Sequence, residues 1–266
     1  MIPELESHLP HLMYFIRTLA ENAQADKITA WPQFIEHVRS FYTPSEMKII
    51  EQVVPGWLKM ASYANQTTLI HVTSVLAALL LCPEYQVASP DQQRLMEWIV
   101  LYHDVAKEVQ PGQRDQIHGF RSAALTGKAL PTVGFPVTAA CSETISPWFI
   151  LTDSAVTPAA CQDNSKLPAI LAGIDRLFGE DTPAALVIKG VLLHMSINAL
   201  NEWPQAAPLS DDEIHRYVSP SLLPLLKVMM LVDNDAWAFF DSKTKEQHQQ
   251  ETRAVFARVE QMIDAK

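Results

Sequence analysis

Apolar residues recur along this chain at intervals of three and four, with little of the strict alternation that marks a half-buried strand, so the pattern predicts helices. Leu12, Phe15, Ile16 and Leu19 share one face of a helix expected from Leu9 to Ala23. Thr43-Pro44-Ser45-Glu46 has the form of a capping box with proline at the first helical position, and opens a helix through Ile49, Ile50 and Val53 that Pro55-Gly56 stops. The pattern changes from Asn65 to Leu81, where the run is apolar almost all round, as a helix in the middle of a bundle must be. Ser89-Pro90-Asp91-Gln92 starts the next helix, which runs through Leu95, Met96, Ile99 and Val100 to His103-Asp104. Further helices are predicted from His118 to Leu130, Pro136 to Thr152, Leu167 to Gly179 and Pro183 to Trp203, with Ser154 to Ser165 as a loop. Ser210-Asp211-Asp212-Glu213 caps another, and Val228–Phe240 and Gln247–Ala265 complete the series. The last segment is expected to pack through Val255, Phe256, Val259 and Met262.

Composition agrees with an all-α chain. Of 266 residues only 8 are glycine, while the 18 prolines fall mostly between apolar runs, where they punctuate helices. Hydrophobic residues make up 48% of the chain, enough to bury a core without disulfides. No linker demands two independently folded units, so residues 1–266 read as a single all-helical domain. The cysteines Cys82, Cys141 and Cys161 are dispersed, which suits reduced thiols and intracellular residence. The N-terminus is acidic where a signal peptide is basic, and the longest apolar run, Val75 to Cys82, is too short to span a bilayer; a cytoplasmic protein with no membrane association is expected. A net charge of −10 argues against nucleic acid as a partner, because phosphate backbones are bound by clustered Lys and Arg. It leaves room for a small phosphate held by an ion and a few local cations.

The candidate chemistry lies in His71, the adjacent pair His103-Asp104, and Asp175, each in a predicted helix among apolar neighbours. Buried imidazoles and carboxylates need partners, and one divalent cation satisfies all four together. Mixed nitrogen and oxygen ligation suits Mn, Fe, Co, Ni or Zn, with Mg possible where water completes the shell. Asp233 is a rival to Asp175, since Val232-Asp233-Asn234-Asp235 also sits in an apolar helix. Adjacent helical residues point about 100° apart, so His103 and Asp104 can share one cleft only near a helix end. His194, in Val191-Leu192-Leu193-His194-Met195, reads as a packed core histidine.

The order and spacing of this set resemble the HD superfamily of metal-dependent phosphohydrolases: a histidine, an HD pair about thirty residues on, and an aspartate about seventy residues after that. Leu101-Tyr102-His103-Asp104-Val105-Ala106-Lys107 looks like the family's apolar-HDxxK element. His118-Gly119-Phe120-Arg121-Ser122-Ala123-Ala124 is similar to its H…SA helix, and Leu171-Ala172-Gly173-Ile174-Asp175-Arg176-Leu177 to its closing helix. The resemblance implies a helical HD core over about residues 65–182, flanked by helices in 1–64 and 183–266.

It further implies a hydrolase that acts on a phosphate ester, a nucleotide or related small phosphate, through metal-activated water. His71, His103, Asp104 and Asp175 would hold the metal. Asp104, Lys107 and His118 would serve catalysis, and Lys107, His118 and Arg121 would meet the substrate. Each has a plainer alternative: Lys107 as a cation at a helix C-terminus, His118 as a first-turn polar residue, Arg121 as half of a surface salt bridge. Members with two metals carry another histidine before the final aspartate. The corresponding place here holds Asp153, which puts one ion ahead of two and speaks against the di-iron oxygenase branch. An HD-like helical module that binds a nucleotide or a protein without turnover is the alternative function.

Overall fold

The computed structural model describes residues 2–62, 64–108, 115, 117–138, 164–197, 199, 200 and 208–264. Among the described residues every regular element is a helix, and none is long and apolar enough to cross a membrane. The first half holds α1 (Leu5–His8), α2 (Pro10–Gln24), α3 (Trp31–Phe41), α4 (Pro44–Val53), α5 (Trp57–Ser62), α6 (Thr67–Leu81), α7 (Pro83–Gln86) and α8 (Pro90–Tyr102). The second half holds α9 (His118–Ala129), α10 (Leu167–Phe178), α11 (Pro183–Leu193), α12 (Asp211–Tyr217), α13 (Leu223–Trp237) and α14 (Ser242–Asp264).

Helix starts follow local chemistry. Thr43 Oγ1 accepts a hydrogen bond from the Glu46 amide at 3.3 Å at the head of α4. Ser89 and Ser210 each form a reciprocal capping box, with Gln92 and Glu213, ahead of α8 and α12. α14 starts at Ser242, five residues before the predicted Gln247, because Asp241 accepts from the amide and hydroxyl of Thr244 at 3.1 and 2.7 Å. α6 starts at Thr67 rather than Asn65, since Asn65 and Gln66 hold left-handed backbone (φ 55° and 68°) that no helix can include. The helix predicted from Pro183 to Trp203 ends at Leu193, where the chain leaves into a turn that carries His194. The predicted Pro136–Thr152 helix and the loop from Ser154 lie largely outside the described residues.

Two helices run through the middle. On α6 every residue from His71 to Leu79 is buried, and it is flanked by α2, α8 and α13. On α11 every residue from Ala184 to Leu193 is buried, with α8, α9, α10 and α13 around it. α8 and α13 touch both, so the interior between the two central helices is where side chains from all four meet. α14 covers α13 through Phe256 and Val259, with Val255 and Met262 partly buried beside them, as the pattern predicts.

Glycines set two of these crossings. A Cβ on Gly190 of α11 would lie 2.6 and 2.9 Å from Ile99 Cδ1 and Cγ1 on α8. Gly190→Ala should gain about 1 kcal/mol of helix propensity and lose about 1–3 kcal/mol to overpacking. The expected result is a net loss of stability in urea unfolding, and a stabilised variant would show that α8 can move aside. A Cβ on Gly119 would lie 3.1 Å from the Leu192 carbonyl oxygen, so the start of α9 rests directly against the end of α11. That contact brings His118 to His194.

Candidate metal centre

His103 is the residue at which α8 ends, its amide still bonded to the Ile99 carbonyl at 2.9 Å. The chain then tightens, with Val105 N to Tyr102 O at 3.2 Å and Lys107 N to Asp104 O at 2.9 Å. The Ala106 amide donates to Ser122 Oγ of α9 at 3.1 Å, which pins this turn. Leaving the helix at this point lets adjacent residues face one cluster of side chains, and both His103 and Asp104 are buried.

Four more side chains reach the same place. His71 comes from the middle of α6, His118 from the first position of α9, His194 from the turn after α11, and Asp233 from α13. Two groups of ligand-type atoms result, one of His71, His103 and Asp233 and one of Asp104, His118 and His194. In the first, His71 Nε2 is 2.8 Å from Asp233 Oδ1, and His103 Nε2 is 3.9 Å from the same oxygen. Asp104 Oδ2 adds to it from 3.7 Å (His71 Nε2) and 3.5 Å (His103 Nε2). In the second, Asp104 Oδ1 is 2.7 Å from His118 Nε2 and 3.9 Å from His194 Nε2, and the two imidazole nitrogens are 3.1 Å apart. Asp104 thus turns one oxygen to each group.

The imidazoles are set up as lone-pair donors. His103, His118 and His194 each place Nδ1 against the backbone carbonyl three residues earlier: Val100 at 2.7 Å, Asp115 at 2.6 Å and Val191 at 2.7 Å. A carbonyl only accepts, so each Nδ1 carries the proton, and in the neutral ring Nε2 presents its lone pair to the cluster. This is the outer hydrogen bond that orients ligand histidines in metal proteins. His71 Nε2, His103 Nε2 and Asp104 Oδ1 are buried with no hydrogen-bond partner, although polar atoms lie within 2.7–3.9 Å. Close but unaligned atoms fit a common point between them better than bonds to one another. For ligand bonds of about 2.0–2.2 Å, neighbouring ligand atoms fall about 3–3.5 Å apart, which the observed separations bracket.

Charge points the same way. Burial opposes ionisation of Asp104, but the Lys107 ammonium, with the His103 and His118 imidazoles, holds its carboxyl well below the ordinary range. For Asp233 burial is likewise outweighed by the His71 imidazole beside it, and the carboxyl is lowered. Burial pushes His103 down and His194 down to about 3, with neighbouring imidazoles adding to it. Burial disfavours the Lys107 charge, yet the carboxylates of Asp104 and Asp233 prevail and raise it; its Nζ lies 2.7 Å from Asp104 Oδ2. Two carboxylates against one ammonium leave an excess of negative charge when the imidazoles are neutral. A buried cluster of His and Asp residues with these properties could bind a metal ion.

The expected residues fall out unequally. His71, His103 and Asp104 come together, and Asp233 stands where Asp175 was expected. Asp175, on α10, instead pairs with the buried Lys189 at 2.7 Å and belongs to neither group. Lys189 and His194 are five residues apart on and just past α11, which turns them about 140° from each other, so the side of α11 that meets Asp175 faces away from the cluster. His118 is present but deep, its side chain 2% exposed, on the ligand wall and not at an opening. Arg121 is held in an ion pair with Asp115 and donates to the Ala106 carbonyl at 3.3 Å. With Lys107, Lys59 and Lys128 it lines a cavity beside the turn that follows α8. Asp153 lies outside the described residues.

His194 is the group that sequence reasoning missed. The available signal was its local text, three apolar residues and then a histidine, which parallels Val100-Leu101-Tyr102-His103. Compared with family models, curated proteins and solved structures, the chain matches none.

Proposed function

We propose that the chain is a metal-dependent phosphohydrolase of the HD type that acts on a small phosphate ester. The observation that carries this reading is the convergence of histidine Nε2 atoms on Asp104 and Asp233, with three of the rings fixed through Nδ1. The donor set is imidazole nitrogen with carboxylate oxygen, which suits Mn, Fe, Co, Ni or Zn. Because Asp104 directs one oxygen to each group, we read the centre as two adjacent ion positions, with His118 and His194 completing the second. This reading has one ion more than the single ion expected from the sequence.

A divalent ion held by these residues would lower the pKa of an attacking water and offset charge on the phosphoryl oxygens. The protein's own part is positional. His71, His103, Asp104, His118 and His194 have side chains 0–2% exposed, whereas Asp233 and Lys107 are 22% and 23% exposed, so those two form the partly exposed edge of the cluster. Lys107 at that edge is placed to hold a phosphoryl oxygen, and Asp104 beside it keeps the ammonium charged. Water is excluded from the remaining sides by α6, α8, α11 and α13.

Elemental analysis of the purified protein, followed by turnover of generic phosphate esters with and without chelator, tests the reading. About two transition-metal ions per chain and chelator-sensitive hydrolysis are expected, with both lost in the double variant His103→Ala, Asp104→Ala. A folded protein that holds no metal and hydrolyses nothing would overturn it in favour of a binding module.

A further inference from the structure

One large aromatic side chain beside this centre is mostly exposed. Trp237 is the last residue of α13, one helical turn beyond Asp233, and is 56% exposed. Its ring stacks on the His71 imidazole, with centroids 4.4 Å apart and planes 19° from parallel. One indole face is therefore taken by a candidate ligand histidine, while more than half of the side chain stays in water. Trp98 and Trp57 are fully buried, as tryptophans in a packed interior are. Lys107 Nζ is 2.7 Å from the Asp104 oxygen that itself lies 3.7 Å from His71 Nε2. The centre thus borders both a partly exposed ammonium, on Asp104, and a flat, exposed aromatic surface, on His71.

We infer that Trp237 is a specificity-determining residue that stacks on the planar base of a nucleoside monophosphate while Lys107 and the metal centre take the phosphate. This rests on the phosphohydrolase reading for the phosphate end, but its base end stands on Trp237 alone. Stacking on an aromatic side chain tolerates any base, because every base offers a π-face, so the discrimination is between base and no base. A purely structural role for Trp237, as a cover that orients His71, would instead affect every phosphate alike.

The test is equilibrium binding to the manganese-loaded protein of two non-hydrolysable phosphonates, the analogues of adenosine 5′-monophosphate and of ribose 5-phosphate. Calorimetry gives both affinities, and a quench of indole fluorescence that is lost in Trp237→Phe reports contact at Trp237, one of six tryptophans. The base-bearing analogue should bind on the order of ten-fold tighter and quench the fluorescence. In Trp237→Ala the ratio of the two affinities should fall to near one, and Trp237→Phe, which keeps a ring over His71, should retain part of it. Equal affinities in the unmodified protein, an unchanged ratio in Trp237→Ala, or no binding of either analogue would overturn the inference. A preserved ratio-dependent preference in a protein that turns over no phosphate ester would sink the enzymatic reading and leave this one standing.

Discussion

Asp233→Ala should weaken manganese binding more than 100-fold and abolish phosphate-ester turnover, whereas Asp175→Ala should leave metal content intact and lower stability. Loss of an outer-shell partner alone costs about 10–100-fold in metal affinity, so loss of a ligand oxygen should cost more. Asp233 Oδ1 lies 2.8 and 3.9 Å from the His71 and His103 nitrogens, and no other described acidic side chain stands beside them except Asp104, which already serves both groups. Asp175 has a different task. Its carboxylate neutralises Lys189, a residue 7% exposed, and removing one partner of a buried pair costs about 3–5 kcal/mol. Asp175 is itself 31% exposed and Asp181 stands 3.9 Å from Lys189 as a partial substitute, which reduces the expected cost to about 1–3 kcal/mol. Titration of each variant with Mn(II), followed by urea unfolding without metal, separates the two. Metal lost from Asp175→Ala and kept by Asp233→Ala would reverse the assignment.

Without metal, acidification should unfold the protein through its histidines. An unfolded histidine titrates near 6.5, while His194 in the folded chain is pushed down to about 3 and His103 is lowered by burial. Between those values the unfolded state binds the extra proton, so stability is present above pH 6.5 and falls as pH drops towards 3. His194 contributes a slope of about 1.4 kcal/mol per pH unit, or about 2 kcal/mol between pH 7 and 5, and His103 adds a loss of the same sign. Asp104 and Asp233, both lowered, add a loss of the same sign only below the ordinary carboxylate value. Glu97 and Asp235, both raised by burial, act in the opposite sense over the span just above theirs. Urea unfolding in chelator at pH 7, 6 and 5 should show the decline. His194→Ala should flatten it by about one proton, and an unflattened slope would show that His194 is protonated in the folded state.

Much of this was legible in the chain, for identifiable reasons. Ser89, Ser210 and Thr43 cap helices by local hydrogen bonds, so their text predicts the structure directly. His71 and His103-Asp104 stand out because a polar group in an apolar helix needs a partner wherever the helix goes. The choice between Asp175 and Asp233 was not local: both sit in apolar helices, and the outcome depends on which face of α11 each helix meets. His194 was hidden by a helix end. The apolar pattern continues past Leu193, so periodicity carries the helix on, while the actual stop comes from a turn in which Ser196 bonds back to Leu193 at 2.9 Å. Trp237 carries no sequence signal, since the apolar pattern does not reveal its exposure at the end of α13.

The six side chains of the centre come from positions 71 to 233 and from five separate stretches of chain. An ion held among them ties together residues that no local segment could bring close, and so acts as a reversible cross-link across more than half of the polymer. Such a link requires α6, α8, α9, α11 and α13 to be assembled around it. Its free energy should therefore be absent from the folding rate and appear almost wholly as slower unfolding. The ion would give this chain persistence in time, over and above any chemistry it performs.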